Sequence, residues 1–178
     1  MADTMDEIVP EALATSPTVI DANSQKRAGA DGIVKSGVIA AMAVGLVPIP
    51  VIGVVGLVAA NLTMLQALSH HYGVPFQRDV ARSAVVSLVG GLAPVGLGVG
   101  FSEALKLIPG FGSLAGAAGT SVLAGAVTYA VGRAFIQHFE EGETFLSLDL
   151  ARLRKVVRFE FKRGRKVAET LATSPQKA

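Results

Sequence analysis

Cysteine and tryptophan are absent from this sequence of 178 residues, and charged residues make up only 17% of it. Without cysteine, the chain has neither a disulfide framework nor a thiol-based metal or redox site. Roughly 25% of the residues in a typical soluble domain are charged, so this composition argues against an ordinary soluble protein. The shortage of charge is concentrated in three uncharged runs, which are Ser36–Ser69, Ser83–Ser102 and Leu107–Gly132.

These runs predict helices that enter or cross a membrane. Runs of about 18 or more apolar residues without charge are typical of membrane helices. The alternative is an unusually apolar soluble helical bundle, but a soluble bundle needs polar faces, and such long uncharged runs leave no room for them. We therefore predict an all-α integral membrane protein with two helical hairpins, formed by about four helices, and a C-terminal basic amphipathic helix.

Two corners are predicted to divide the apolar part into hairpins. Proline removes a backbone donor and disfavours helical geometry in the residue before it, and proline followed by glycine is typical of a turn. The corner residues are Pro48 and Pro50, and Pro109 and Gly110. The four helices are expected at about 33–47, 51–72, 78–107 and 112–138. The first spans the bilayer only if it extends back towards Arg27, and is otherwise re-entrant.

The chain is predicted to have three parts. Residues 1–30 form a mobile acidic tail, residues 31–143 form the helical membrane domain, and residues 144–178 form a basic amphipathic helix with a frayed C-terminus. Lysine and arginine collect before the first helix, between the hairpins and after the fourth helix, whereas both corners are nearly uncharged. By the positive-inside rule, this distribution predicts that both termini are cytoplasmic.

The C-terminal helix is predicted over about 147–164, with Ser147 as its cap. An apolar stripe recurs at helical spacing, at Leu150, Leu153, Val157 and Phe161. Bases occupy much of the remaining surface: Arg152, Arg154, Lys155, Arg158, Lys162, Arg163, Arg165 and Lys166. A basic amphipathic helix favours anionic lipid headgroups as its ligand, and a partner protein is the next alternative. Nucleic acid is the least favoured of the three.

Small residues predict a close contact along the fourth helix. Gly112 and Gly116 form a G-x-x-x-G motif, and Gly119 lies on nearly the same face. Glycine allows two helix backbones to approach closely in a membrane. The contact is either an interface of a homo-oligomer or packing within the hairpin.

The sequence contains no pattern that indicates catalysis. The segment GADGIVKS at 29–36 is close to a phosphate-binding loop, but Val34 stands where that loop requires glycine. His70 and His71 point to different sides of one helix, which disfavours chelation of a single ion. Polar residues such as Asn61 occur in the second helix, but no charge lies at its middle to drive transport. We predict no catalytic, cofactor or metal site, and no enzymatic activity.

Six short motifs follow one another in a recognisable order. They are P-x-P (48–50), N-x-x-M-L (61–65), Y-G (72–73), I-P-G-F-G (108–112), T-Y-A-V-G (128–132) and H-F-E-E-G (138–142). In this order they resemble domain-of-unknown-function family 697 over about residues 30–143. The resemblance implies a GTPase-associated helical module of the bacterial inner (cytoplasmic) membrane. The chain departs from the family pattern at Gly53, where an acidic residue is usual, and at Asn61, where glutamine is usual.

The composition and the resemblance together predict a membrane anchor or scaffold without enzymatic activity that recruits a cytosolic partner. The partner that the resemblance implies is a GTPase acting in trans. Two alternatives remain at this point. One is an oligomeric pore or transport element, and the other is a membrane-remodelling protein whose first hairpin wedges one leaflet.

Overall fold

The computed structural model describes residues 17–46, 50–92 and 114–174, and these residues form helices and short connections without any strand. The α-helices are α1 (Pro17–Gly45), α2 (Pro50–Tyr72), α3 (Arg78–Gly91), α4 (Leu114–Glu140) and α5 (Leu150–Thr173), and a short 3-10 helix covers Phe145–Ser147. The prediction of an all-α protein is confirmed.

The first helix is longer than the sequence pattern indicated. It has 29 residues, about 43 Å at 1.5 Å per residue, and it includes residues 17–30, which we had assigned to the acidic tail. Residues 23–29 are exposed, which explains why they show no apolar periodicity. Contacts with other helices hold this segment: Ala30 is fully buried, and the carbonyl of Lys26 lies 2.7 Å from Nε2 of His71.

Glycine ends α2 as the sequence predicted. Gly73 has a φ of 72°, in the left-handed region where glycine carries no Cβ penalty. The amide of Val74 donates to the carbonyl of Ser69 at 2.8 Å, and the amide of Gly73 donates to the carbonyl of His70 at 3.2 Å. This pattern is a Schellman motif, which satisfies carbonyls that the helix leaves unpaired.

Helix α4 forms the centre of the bundle. Of the most apolar segment of α4, 67% is buried inside the protein, whereas 28% of the corresponding segment is buried in each of α1 and α2. Val131 and Phe135 are completely buried there. They belong to one continuous core that includes Val34 of α1, Leu65 of α2 and Val157 of α5. The apolar character of α4 therefore serves internal packing to a large extent.

Helix α5 packs antiparallel along α4. Near the start of α5, Arg152 forms an ion pair of 2.7 Å with Glu141, and further along, Gly164 lies against the backbone of Ala126. Leu153, Val157 and Phe161, three members of the predicted apolar stripe, are buried. The stripe thus faces the protein interior.

The cap of α5 differs from the predicted one. Asp149 accepts from the amides of Ala151 and Arg152, at 2.9 and 3.1 Å, and the helix begins at Leu150. Ser147 instead closes the short 3-10 helix, where its hydroxyl and the side chain of Thr144 form a reciprocal capping box. Both residues are good caps, so local sequence alone did not separate them.

Part of the predicted architecture lies outside the described residues. This applies to the corner residues Pro48, Pro109 and Gly110, and to the predicted extension of the third helix beyond Leu92. Pro50 is the first residue of α2, the position at which a helix tolerates proline best because the missing amide would have no partner there.

Candidate membrane and partner surfaces

One end of the α1–α2 hairpin exposes large apolar side chains. Ile39 of α1 and Leu46, the residue after α1, are 44% and 54% exposed, and Val54 and Val55 of α2 are 63% and 64% exposed. The two helices approach closely here, since a Cβ on Gly56 would lie 2.6 Å from Cγ1 of Val44. We call residues 37–46, which are the end of α1 and the residue after it, and residues 53–62 of α2 the corner end.

Polar side chains mark where the corner end begins. On α1 the exposed side chains change from Lys35 and Ser36 to apolar residues, and on α2 the exposed Thr63 is followed by Gln66. The two transitions lie at the same level, because Gly37 packs against Met64. From Ser36 to Leu46, the residue after α1, the chain rises about 15 Å. This is half of the hydrocarbon thickness of a bilayer, which is about 30 Å.

The opposite end of the bundle carries a network of charges, which we call the charged end. Arg27 of α1 donates two hydrogen bonds to the carboxylate of Glu140 on α4, at 2.9 and 3.0 Å. The hydroxyl of Tyr72 donates to the same carboxylate at 3.2 Å. Beside them, Arg133 forms an ion pair with Asp31. Helices α1, α2 and α4 are thus joined by polar contacts at this end.

Two of the three histidines make structural contacts at the charged end. His71 lies against the Lys26 carbonyl, and Nε2 of His138 lies 2.9 Å from the carbonyl oxygen of Thr144. Across residues 17–46, 50–92 and 114–174, no group of three or more histidine or acidic side chains is arranged to hold a metal ion. His70 is exposed.

The eight predicted bases of α5 are all exposed, and we call them the basic face. Arg152 and Arg165 pair with Glu141 and Glu169, and Arg154 donates to the hydroxyl of Ser87 at 2.6 Å. The guanidinium of Arg163 donates a hydrogen bond to the carboxylate of Glu160 and lies over the exposed ring of Phe159. Within the described part of the chain, no ion pair involves the other four, which are Lys155, Arg158, Lys162 and Lys166.

Helix α5 reaches the level of the corner end. Met42 of α1 and Ala168 of α5 both contact Gly125 of α4, where a Cβ would lie 2.7 Å from Cγ of Met42 and 3.1 Å from Cβ of Ala168. The last bases of the basic face, Arg165 and Lys166, therefore lie within one helical turn of the level of Met42.

Comparison with known proteins identifies the family of this chain. The family named Domain of unknown function (DUF697) matches residues 18–166. This chain belongs to the DUF697 family. It is also 39% identical over 140 residues to magnetosome membrane protein 22 of Magnetospirillum gryphiswaldense, an alignment that covers 78% of this chain and 72% of that protein. No solved structure matches the chain.

Asn61, which the sequence analysis marks as a departure from the family pattern, lies in the core. Asn61 is completely buried, and its amide nitrogen donates to Oγ1 of Thr128 at 3.1 Å and to the carbonyl of Leu57 at 2.8 Å. Asn61 thus connects α2 to α4. The neighbouring polar residue Thr63 bonds the carbonyl of Ala59 within its own helix. These contacts give Asn61 a packing role in this DUF697 protein.

The predicted glycine contact falls mostly outside the described region. Gly112 lies outside the described residues, and for Gly116 only its place in α4 is described. Gly119 is exposed, and a Cβ added there would meet no atom within 4 Å. Close backbone contacts occur instead at Gly45, where a Cβ would lie 2.7 Å from Cα of Ser121, and at Gly164. Motif spacing did not reveal them because each pairs with a distant segment. Homo-oligomerisation stays a prediction.

Proposed function

We propose that this DUF697 protein is a membrane scaffold without enzymatic activity, anchored by insertion of its corner end into one leaflet. In this arrangement the charged end stays in water and is available to a cytosolic partner. The partner class is the one that the family resemblance implies, a GTPase acting in trans. Similarity to a protein named as a magnetosome membrane protein supports the membrane location.

The exposure of large apolar side chains at the corner end carries this proposal. Soluble proteins rarely expose contiguous large apolar side chains, and such surfaces mark contact with a membrane or a partner. Here they occupy about 15 Å of helix, between a polar boundary and the corner. That length matches one leaflet, although α1, α2 and α4 are each long and apolar enough to cross a bilayer.

The position of α5 argues against a complete crossing by α4. Because α5 lies alongside α4, a transmembrane α4 would carry the basic face to the same depth. Each lysine or arginine at the bilayer centre costs about 2.5–3.5 kcal/mol, so several of them together would exceed 10 kcal/mol on the same scale. That cost is comparable with the roughly 5–15 kcal/mol stability of a whole domain. We therefore infer that α4 does not cross the bilayer, and that only its first half, which contacts Met42 and Asn61, lies at the level of the inserted corner end.

The basic face supports the same orientation. With the corner end inserted, Arg165 and Lys166 lie near the level of Met42, about 9 Å below the polar boundary at Ser36, and long basic side chains extend from such depths towards the headgroups. Attraction to anionic lipids adds about 1 kcal/mol for each base near the surface. The apolar stripe of α5 takes no part, because it packs on α4.

Single cysteines in this cysteine-free chain test the depth of insertion. Cysteine at Val54 is expected to be protected from a water-soluble maleimide in proteoliposomes, whereas cysteine at Thr63 is expected to react at close to the rate measured in detergent. Thr63 lies just above the corner end, but it would lie near the bilayer centre if α2 crossed completely. The reagent is added to both sides, and labelling is read by mass spectrometry.

Cysteine at Ala151 is the reactive control, since this residue is exposed at the start of α5. The single-leaflet arrangement would be contradicted if cysteines at both Val54 and Thr63 were protected and if nitroxides placed deep in the lipid quenched a probe at Thr63. That result would favour a transmembrane α2.

Neutralising part of the basic face tests its contribution to lipid binding. The triple change Arg158→Gln, Lys162→Gln and Lys166→Gln removes bases without an internal ion pair, so the fold should be retained. We expect binding to anionic vesicles at about 0.1 M salt to weaken roughly tenfold, because screening reduces each contribution. Binding to neutral vesicles should not change. Vesicle flotation measures binding to both kinds of vesicle, and the double change Arg78→Gln and Arg82→Gln on α3 is the control. An equal loss of binding to neutral and to anionic vesicles would refute the electrostatic role.

Membrane remodelling is the second candidate function. A rigid hairpin that enters only one leaflet enlarges that leaflet relative to the other, and the one-leaflet length of the corner end favours this activity. The pore alternative would use the glycine-rich segment 89–100 of the predicted third helix to line a path, and most of this segment lies outside the described residues.

A further inference from the structure

A groove runs between α1, α4 and α5 at the charged end. Its volume is about 260 Å³. The lining contains three carboxylates and two guanidiniums, together with uncharged side chains such as Gln137. The charged residues are Asp31, Glu140 and Glu160, and Arg27 and Arg133. Acidic groups therefore exceed basic groups in the lining by one.

All five of these charges have a partner of opposite sign. Arg27 uses both oxygens of Glu140, and Arg133 pairs with Asp31. Glu160 is only 8% exposed and pairs with Arg163, which lies outside the lining. Its Oε1 accepts from Arg163 at 3.2 Å, but its Oε2 is buried and has no hydrogen-bond partner among the described residues.

An unpaired buried carboxylate oxygen is costly. Leaving a buried charged group without its hydrogen bond costs more free energy than leaving a neutral group unpaired. A donor with a positive charge would be the strongest partner for the open acceptor of Glu160. From this geometry we propose that the groove binds a small organic cation with N–H donors, of the alkylguanidinium or alkylammonium class. This site is independent of the membrane role proposed above.

The size and the lining of the groove favour an organic cation over a metal ion. The volume is several times the roughly 30 Å³ that one water occupies, and it is slightly below the range of pockets for drug-sized ligands. An organic cation can direct its N–H groups towards Glu160 and place its carbon atoms against Ile136 and Val156, which line the same groove.

Titration of the purified full-length protein in detergent tests the proposal. The probes are methylguanidinium, ethylammonium and tetramethylammonium chlorides at constant ionic strength, followed by ligand-observed NMR. We expect saturable binding of the first two, and binding of tetramethylammonium at least about tenfold weaker because it has no N–H donor. Glu160→Gln should weaken the binding of methylguanidinium by about tenfold or more, since hydrogen bonds to charged groups are the stronger ones.

Glu169→Gln is the matched control, because Glu169 is an exposed acid on the same helix, and this variant should bind like the wild type. Absence of saturable binding to the wild type would overturn the proposal, as would equal affinity for all three probes. Unchanged affinity in folded Glu160→Gln would also overturn it. If that variant does not fold, the preference of the wild type for probes with N–H donors decides the question.

Discussion

Replacing Gly164 with valine is expected to destabilise the protein by about 3 kcal/mol, through separation of α5 from α4. A Cβ at this position would lie 2.5 Å from the carbonyl oxygen of Ala126 and 3.1 Å from its Cα. These are backbone atoms of the central helix, so they cannot turn aside as a flexible side chain could. The helices must move apart, which loosens the packing of Leu153, Val157 and Phe161 against the core. Thermal or denaturant unfolding in detergent measures the change.

Gly32→Val is the control for this prediction. Gly32 also lies within a helix and is exposed, but a Cβ there would meet no atom within 4 Å. Its replacement should change stability by less than about 0.5 kcal/mol, as is usual for surface positions. Equal stability of the Gly164 and Gly32 variants would show that α5 does not pack on α4 as described.

Replacing Val54 and Val55 with lysine is expected to reduce membrane partitioning by at least about a hundredfold. Full burial of a valine side chain contributes about 1.5–3 kcal/mol, and this contribution is lost twice, while two charges are placed at the level of the acyl chains. A hundredfold change corresponds to about 2.7 kcal/mol, so the estimate is conservative. Partitioning is measured by flotation with neutral vesicles, which excludes attraction of the new lysines to anionic lipid.

Gln66→Lys provides the matched control on the same helix. Gln66 is exposed above the polar boundary of the corner end, so its replacement should leave partitioning unchanged. If Gln66→Lys reduces membrane partitioning as much as the lysine replacements of Val54 and Val55 do, the whole of α2 is embedded in the membrane. Retention of full partitioning in the double variant would remove the corner end as the anchor.

The sequence predicted the helical class, and it predicted α2 almost to the residue. Strong local signals made this accurate: proline at the first position, an uncharged helix, and glycine followed by proline after it. The start of α1 was not predictable in the same way. Its first residues are exposed and lack periodicity, and contacts such as that between Arg27 and Glu140 connect segments far apart in sequence.

The orientation of α5 shows a limit of reasoning from helical faces. The apolar stripe and the bases were both evident in the sequence, but the stripe alone cannot distinguish lipid from another helix as its partner. Gly164 was the overlooked signal. A glycine within a helix lowers stability by about 1 kcal/mol relative to alanine. Its presence in α5 is explained by the close approach of the α4 backbone. The unpaired oxygen of Glu160 had no sequence signal, because it depends on three helices meeting.

The seating of α5 on α4 also has a consequence during synthesis of the protein. Helix α4 leaves the ribosome before the helix that covers it. At about 5–20 residues per second, the segment from Glu140 to Thr173 takes roughly 2–7 s to make. During those seconds α4 is an apolar, uncovered helix of the kind that the insertion machinery recognises. Once α5 has folded against it, the bases of α5 oppose its entry into lipid, so the final topology depends on which process is faster.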